Sequence, residues 1–437
     1  MKKTVLFLLL LVAGCATVRD AREAQREKEV ARERSFGPRL SLAESERVSL
    51  DLHPAMITAT QNVVSAEIAL HQAGINLRPT LSASASYGGA TSGSSDADWH
   101  FRSSRETFSA GANLTWVLYD FGRTDASQRQ AAAELIGACE NYRATVVDRV
   151  YQVRTAYFDY AKALAQCTVS EENLVQYTRL LEQAELRMRI GSGKKYDVTK
   201  AKAERASAAY DLVVASNTVV TARATLLNQL SVTVAEPFLP EETVLKEPPV
   251  DTAVLLSLAA TNQPSIQMYK ARVDAASKGI DYAVSDLYPQ LKISASPEYA
   301  QNATETLGVS WGASLVQDLF KGWQKQDNIK AAVVAYRQAK AELISQEQQM
   351  IADVTTAIAD YRSACEAVAV ALEMETLSKE NLELVREQFN VGYGTITILD
   401  VTDAQVSYTK ARVSSISSRF ACEKSKARIY SVIGITQ

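Results

Sequence analysis

The side chains that could do chemistry are few and scattered. His53, His71 and His100 are the only histidines, and Cys15, Cys139, Cys167, Cys365 and Cys422 the only cysteines, in 437 residues. Metal ligands cluster at spacings of about two to five residues, and none of these side chains has another at such a distance. Nor does the chain hold a Gly-rich phosphate loop or a Gly-x-Ser-x-Gly turn for a nucleophile. Lone histidines on helices and loops are ordinarily solvated, so no enzyme activity, metal or nucleotide cofactor is expected. The chemistry of Cys15 is of another kind.

Met1-Lys2-Lys3 is a positive n-region, and Val5 to Val12 is an apolar run too short to span a bilayer. It ends in Val12-Ala13-Gly14-Cys15, which resembles the bacterial lipobox, whose cysteine is diacylated and becomes the first mature residue. Residues 1–14 thus read as a signal peptide, and residues 15–40 as a lipidated cysteine with a charged tether, Arg19 to Arg34. The covalent lipid on Cys15 adds an anchor in the membrane. Ala16, where an Asp would retain many lipoproteins in the inner membrane, implies sorting to the outer membrane. Removing Lys2 and Lys3 moves the formal charge from −3 to −5, which argues against nucleic acid as a partner. After residue 14 no apolar run approaches 18 residues, so no membrane-spanning helix is expected.

Trp323 to Val391 runs 69 residues without Gly or Pro, long enough for a helix of roughly 100 Å. No ordinary core needs such an element. Met350, Val354, Ala357, Tyr361, Ala364 and Val368 step by four and three in alternation, the seam of a coiled coil. Gly392-Tyr393-Gly394 ends it, and Ile398 to Ile433 can return as a second helix.

This plan occurs twice. Leu40 to Leu77 reads as a helix closed by Arg78-Pro79, and Val254 to Leu287 as one closed by Tyr288-Pro289. Each is followed by two strands, a turn at Gly122 or Gly322, a long helix, a Gly turn and a returning helix. The repeats span residues 41–235 and 251–437, joined by a Pro-rich linker at 236–250. Within the strands Phe108, Ala110, Ala112, Leu114, Trp116 and Leu118 alternate with Ser109, Gly111, Asn113 and Thr115; Leu307 to Leu315 alternate likewise, and Leu81 to Tyr87 and Leu291 to Ser296 less cleanly. A membrane barrel strand shows this period, lipid side against lumen, and so does a soluble sandwich facing its core. The lipobox, and a polar face of Ser, Gly and Asn with almost no charge, favour the membrane. Four strands cannot close a barrel there and an open edge cannot stand in lipid, so a homo-oligomer is expected.

From about Ser41 to Gly434 the order of elements resembles the TolC family of outer-membrane efflux proteins. Asn390-Val391-Gly392 with Asp400-Val401-Thr402-Asp403-Ala404 is similar to the family's second periplasmic turn, and Ile190-Gly191 with Asp197-Val198 and Ala201 to the first. The resemblance implies a mainly α fold with a small transmembrane β part: a homotrimer whose twelve strands form one barrel and whose helices form a tunnel. It implies a passive exit duct of a tripartite efflux or type I secretion system, with a periplasmic adaptor, an inner-membrane pump and outer-membrane lipid as partners. Asp400 and Asp403, with Asp197 in the first copy, fall at the periplasmic gate; Asp400 and Asp197 also suit helix capping. Ile190, Gly191 and Ser192, and Val391, Gly392, Tyr393 and Gly394, fall at the tips that meet the adaptor. Where the family often has a gating cation in the second turn this chain has Gly394 and Ile396, and Lys194 and Lys195 in the first turn could supply charge instead. The alternative reading is a periplasmic coiled-coil lipoprotein, structural or adaptor-like, without a channel.

Cys365 lies 28 residues before Tyr393 and Cys422 lies 29 after it, so an antiparallel hairpin sets them at one height, where a disulfide could join them. Cys139 and Cys167 find no partner by the same reckoning.

Overall fold

A computed structural model describes residues 37–93, 101–233, 238–301, 305–391 and 396–436. The signal peptide, Cys15, most of the tether, His100 and Gly392 to Gly394 lie outside the described residues. The chain forms two compact units, each drawing on both halves of the sequence: one of residues 1–58, 143–263 and 349–437, the other of residues 59–142 and 264–348.

The elements run β1 (Arg39–Leu40), α1 (Leu42–Leu52), α2 (Pro54–Ala73), β2 (Thr80–Gly93), β3 (Phe101–Tyr119), α3 (Arg123–Arg189), α4 (Lys195–Leu230), β4 (Leu239–Pro240), α5 (Thr252–Asn262), α6 (Pro264–Ser285), β5 (Gln290–Gln301), β6 (Glu305–Val316), α7 (Gln324–Val391) and α8 (Ile398–Val432). The two long helices, α3 and α7, have 67 and 68 residues. The single helices expected over Leu40 to Leu77 and Val254 to Leu287 are each two helices. His53 and Gln263 break them with extended backbone at ψ 131° and 115°. Each precedes a proline, whose ring disfavours the helical conformation in the residue before it. A short 3-10 turn at Ile75–Leu77 then replaces the last turn expected of the first helix.

In the second unit the four strands form one antiparallel sheet in the order β2-β3-β5-β6. Its register puts Leu81 opposite Leu114, Leu114 opposite Ala295 and Ala295 opposite Trp311, with Ala85, Ala110, Tyr299 and Leu307 in a parallel row. Apolar side chains thus fill one face across all four strands, since alternate residues share a face. The other face is small and polar: Ser86 and Ser109 hydroxyls lie 2.8 Å apart, and Ser296 Oγ donates to Asn113 Oδ1 at 2.8 Å. Trp311 and Leu307 are 84% and 79% exposed, so among the described residues no layer covers this apolar face.

Both strand pairs hand over to a long helix through two left-handed residues, Phe121 and Gly122 (φ 53° and 87°), then Gly322 and Trp323 (φ 56° and 68°). Glycine tolerates this conformation without a Cβ clash. Buried Asp120 caps the start of α3, accepting from Thr124 N at 2.8 Å and from the Thr124 hydroxyl.

In the first unit β1 pairs in parallel with β4. They cover a core of Leu40, Val153, Tyr157, Phe158, Leu226, Leu230 and Phe238. Tyr157 Oη shares its hydrogen between the Leu40 and Glu241 carbonyls, 2.9 Å from each, and Tyr160 Oη donates to Phe238 O at 2.7 Å. Each ring therefore buries its body without stranding its hydroxyl, and burial alone contributes about 1.5–3 kcal/mol for a side chain such as Phe158. Along α7 the expected seam is real: Met350, Val354, Ala357 and Tyr361 are buried, and Ala364 and Val368 half-buried.

Candidate gate and hairpin tips

The turn from α3 to α4 is built by backbone. Gly191 has φ 78°, and the amides of Ser192 and Gly193 both donate to the Arg187 carbonyl at 2.9 Å. These bonds satisfy the end of α3. A Cβ on Gly193 would stand 2.8 Å from Met188 N, so no larger residue fits this return. Ile190 projects at the tip, 70% exposed, as does Val391 at the end of α7, 75% exposed.

Asp197 and Asp400 are each the third residue of a returning helix. The Asp197 carboxylate accepts from Lys194 N at 3.2 Å; that of Asp400 accepts from Thr397 N and Thr397 Oγ1, both at 2.7 Å. The bonds from Thr397 backbone and hydroxyl hold the Asp400 carboxyl below the usual carboxylate range. Both residues thus act as caps, whatever else they do. Lys194 precedes α4 as its N-cap, and Lys195 begins it.

Asp403 stands one turn further on, exposed, and neighbours Tyr177 and Lys200. Burial, then the carboxylates of Glu204, Asp211 and Asp403, pushes the Tyr177 hydroxyl up to about 12. Tyr177 packs with Val198, Ala201, Phe389, Ile398 and Val401, an apolar cluster that fixes the start of α8 against α3, α4 and the end of α7.

Two arginines that no local sequence pattern marks complete this region. Arg187 lies over the Phe389 ring. Arg386 Nη2 donates to Gln176 Oε1 at 3.0 Å and to Gln405 Oε1 at 2.6 Å, and Gln405 Nε2 in turn donates to Asn173 Oδ1 at 3.0 Å. Burial, aided by Arg179, lowers the Arg386 pKa. Two cavities of about 220 and 200 Å³ lie against Arg386, Gln176 and Gln405. Helices α3, α7 and α8 are therefore joined here by an amide-rich polar layer.

Farther from the tips, Cys365 of α7 is half-buried and Cys422 of α8 is buried; burial, then the neighbouring Cys365, pushes the Cys422 thiol up to about 12. Both are free thiols in the structure, as are Cys139 and Cys167. His53 stands elsewhere, at the α1–α2 break, with Nε2 2.8 Å from Arg149 Nη1; His71 is the last-turn base of α2. Among the described residues no group of three or more His, Cys, Asp or Glu side chains could hold a metal, and no helix is long and apolar enough to cross a membrane.

Comparison with known proteins accords with this geometry. The profile of the family described as outer membrane efflux protein matches residues 47–231 and again 255–435. The outer membrane efflux protein BepC of Brucella suis biovar 1 is 24% identical over 319 residues, which cover 72% of this chain and 69% of BepC. The outer membrane protein TolC of Vibrio cholerae is 23% identical, over 75% of this chain and 77% of its own. The crystal structure of the Campylobacter jejuni CmeC outer membrane channel superposes with a TM-score of 0.77 at 15% identity, covering 90% of this chain and 85% of that one. Two profile matches, one on each half, with the helix, strand pair and hairpin repeated in each, identify this chain as a member of the TolC family of outer-membrane efflux channels, non-catalytic exit ducts of efflux and secretion systems.

Proposed function

We propose that three copies of this chain form one duct, their twelve strands closing a barrel in the outer membrane and their helices continuing into the periplasm. The observation that carries this reading is the sheet of β2, β3, β5 and β6, apolar across one face and mostly small and polar across the other, with no strand among the described residues on the outer edge of β2 or of β6. Such a sheet satisfies its edges in lipid only when other copies complete it. A lumen lined mainly by Ser, Asn and Gly, with Lys292 and Glu298 of β5 offsetting one another, carries little net charge with which to select cargo, so selection falls to an inner-membrane pump and its adaptor. The adaptor meets the tips formed by Ile190, Gly191 and Ser192 and by Val391, Gly392, Tyr393 and Gly394. At the same end Asp400, Asp403 and Asp197, repeated about the symmetry axis, gather negative charge that holds cations and narrows the mouth. Lipid on Cys15 anchors each copy beside the barrel. The two repeats, 41–235 and 251–437, are copies of one ancestral half.

Reconstitution of the purified protein into planar bilayers, with crosslinking in detergent, tests the reading. Ion conductance and a crosslinked trimer are expected; a monomer without conductance would overturn it.

A further inference from the structure

Arg386 makes both of its hydrogen bonds through Nη2, to Gln176 and Gln405, so among the described residues its Nε and Nη1 hydrogens have no acceptor. The partners it does have are neutral amides. Half-buried on α7, it lines two cavities of different charge. In the larger, of about 220 Å³, Arg412 pairs with Glu172, and Lys379 stands one helical turn from Glu383, so carboxylates accompany the cations. The smaller is different. Arg179 of α3 and Arg386 of α7 both line its space of about 200 Å³, together with the side-chain amides of Gln183 and Asn390, and no carboxylate lines it. Arg179 makes no ion pair or hydrogen bond among the described residues.

Two like charges on one cavity repel unless an opposite charge compensates them, and buried Leu180 and Val401 in its wall weaken the screening. Burial, then Arg179, lowers the Arg386 pKa accordingly, while Glu383, whose charge favours the cation, lines the other cavity. We propose that the cavity between Arg179 and Arg386 binds a small tetrahedral oxyanion of the phosphate class, which ties α3 to the end of α7. The donor set selects that class. A guanidinium presents parallel N–H groups that match two oxygens of an oxyanion. A carboxylate has oxygens for one such fork; a tetrahedral dianion has oxygens for both and a charge equal to theirs. The amides of Gln183 and Asn390, which make no hydrogen bond among the described residues, remain to donate to it. Because Gln405 of α8 bonds the same guanidinium, the anion holds α7 and α8 on α3 together. This site is independent of how the duct conducts.

The full chain, purified without phosphate or sulfate, is dialysed against radiolabelled inorganic phosphate at fixed ionic strength. Saturable binding of one phosphate per chain is expected, displaced by sulfate far better than by chloride. Arg179→Gln should weaken it roughly tenfold or more, since one charged fork is lost. Arg179 is exposed and bonds nothing else, so this variant is expected to fold. Arg179→Lys should recover part of the affinity, keeping the charge without the fork. Competition by sulfate but not by glycerol phosphate assigns the site to the free ion, and competition by both assigns it to phosphoryl groups of either source; both results support the site. No saturable binding, equal affinity in Arg179→Gln, or displacement by chloride as effective as by sulfate would overturn it.

Discussion

Arg187 stacks its guanidinium on the Phe389 ring, 3.8 Å from the centroid, and donates Nη2–H to the Phe389 carbonyl oxygen at 2.8 Å. One side chain of α3 thus covers the aromatic ring near the end of α7 and bonds a last-turn carbonyl of that helix. Replacing it with Ala should release about 1–2 kcal/mol of local stability, giving roughly 5–30-fold faster amide exchange over the last turn of α7. Arg187→Lys should recover only part, since an ammonium keeps the charge and loses the stacked plane. Unchanged exchange in both variants would show that the contact is incidental.

Arg154 Nε lies 2.6 Å from Glu46 Oε1, with the side chains 3% and 15% exposed. Removing one member of such a pair strands a charge, so Arg154→Met should cost about 3–5 kcal/mol, while Arg154→Met with Glu46→Leu should cost much less. Thermal midpoints of the purified variants measure both; equal losses would contradict the burial argument.

Burial, then Arg149, lowers the pKa of His53 from 6.5. The unfolded chain therefore takes up a proton at a pH where the folded chain does not. Stability linked to His53 is full above about pH 6.5 and declines as pH falls toward the lowered folded value. His53→Gln should flatten this part of the stability profile, as read from denaturation midpoints at stepped pH.

Asp400 and Asp403 separate capping from gating. Asp400→Ala should fray the first turn of α8, seen as faster exchange at its leading amides, because the bonds from Thr397 are lost. Asp403, with no such cap to lose, should change ion permeation alone: Asp403→Asn should weaken block by multivalent cations at low salt, where screening is least. Single-channel recordings in which block persists would remove Asp403 from the gate.

Cys15→Ser should abolish incorporation of labelled fatty acid while conductance of the reconstituted protein stays, the barrel being sufficient to hold the membrane. Label retained by the variant would place the lipid elsewhere.

Much of this architecture is legible in the sequence because it repeats short rules over long stretches. The period of two from Phe108 to Leu118 and the seam from Met350 to Tyr361 each recur often enough to outweigh local noise, and both match the structure. Pro54 and Pro264 were legible too, but their effect on the preceding residue outweighs the helical pattern around them, so each expected helix is two. Arg187 and Arg386 carry no local signature. Their partners Phe389 and Gln176 lie 202 and 210 residues away, and only the packing of separate helices makes those amides and rings neighbours. The acidic residues at the tips show the opposite: position alone marks Asp197 and Asp400, while the chemistry seen is that of caps.

The alternation of strand direction across β2, β3, β5 and β6 has a genetic consequence. Because every neighbouring pair is antiparallel, β6 of one copy can meet β2 of the next only in that same sense, and the joint is head to tail rather than self-complementary. A ring assembled this way is interrupted by a single member with a spoiled edge. An allele placing Pro in the middle of β6 would therefore poison mixed rings and act dominantly over the normal gene, whereas an allele that merely fails to express would be recessive.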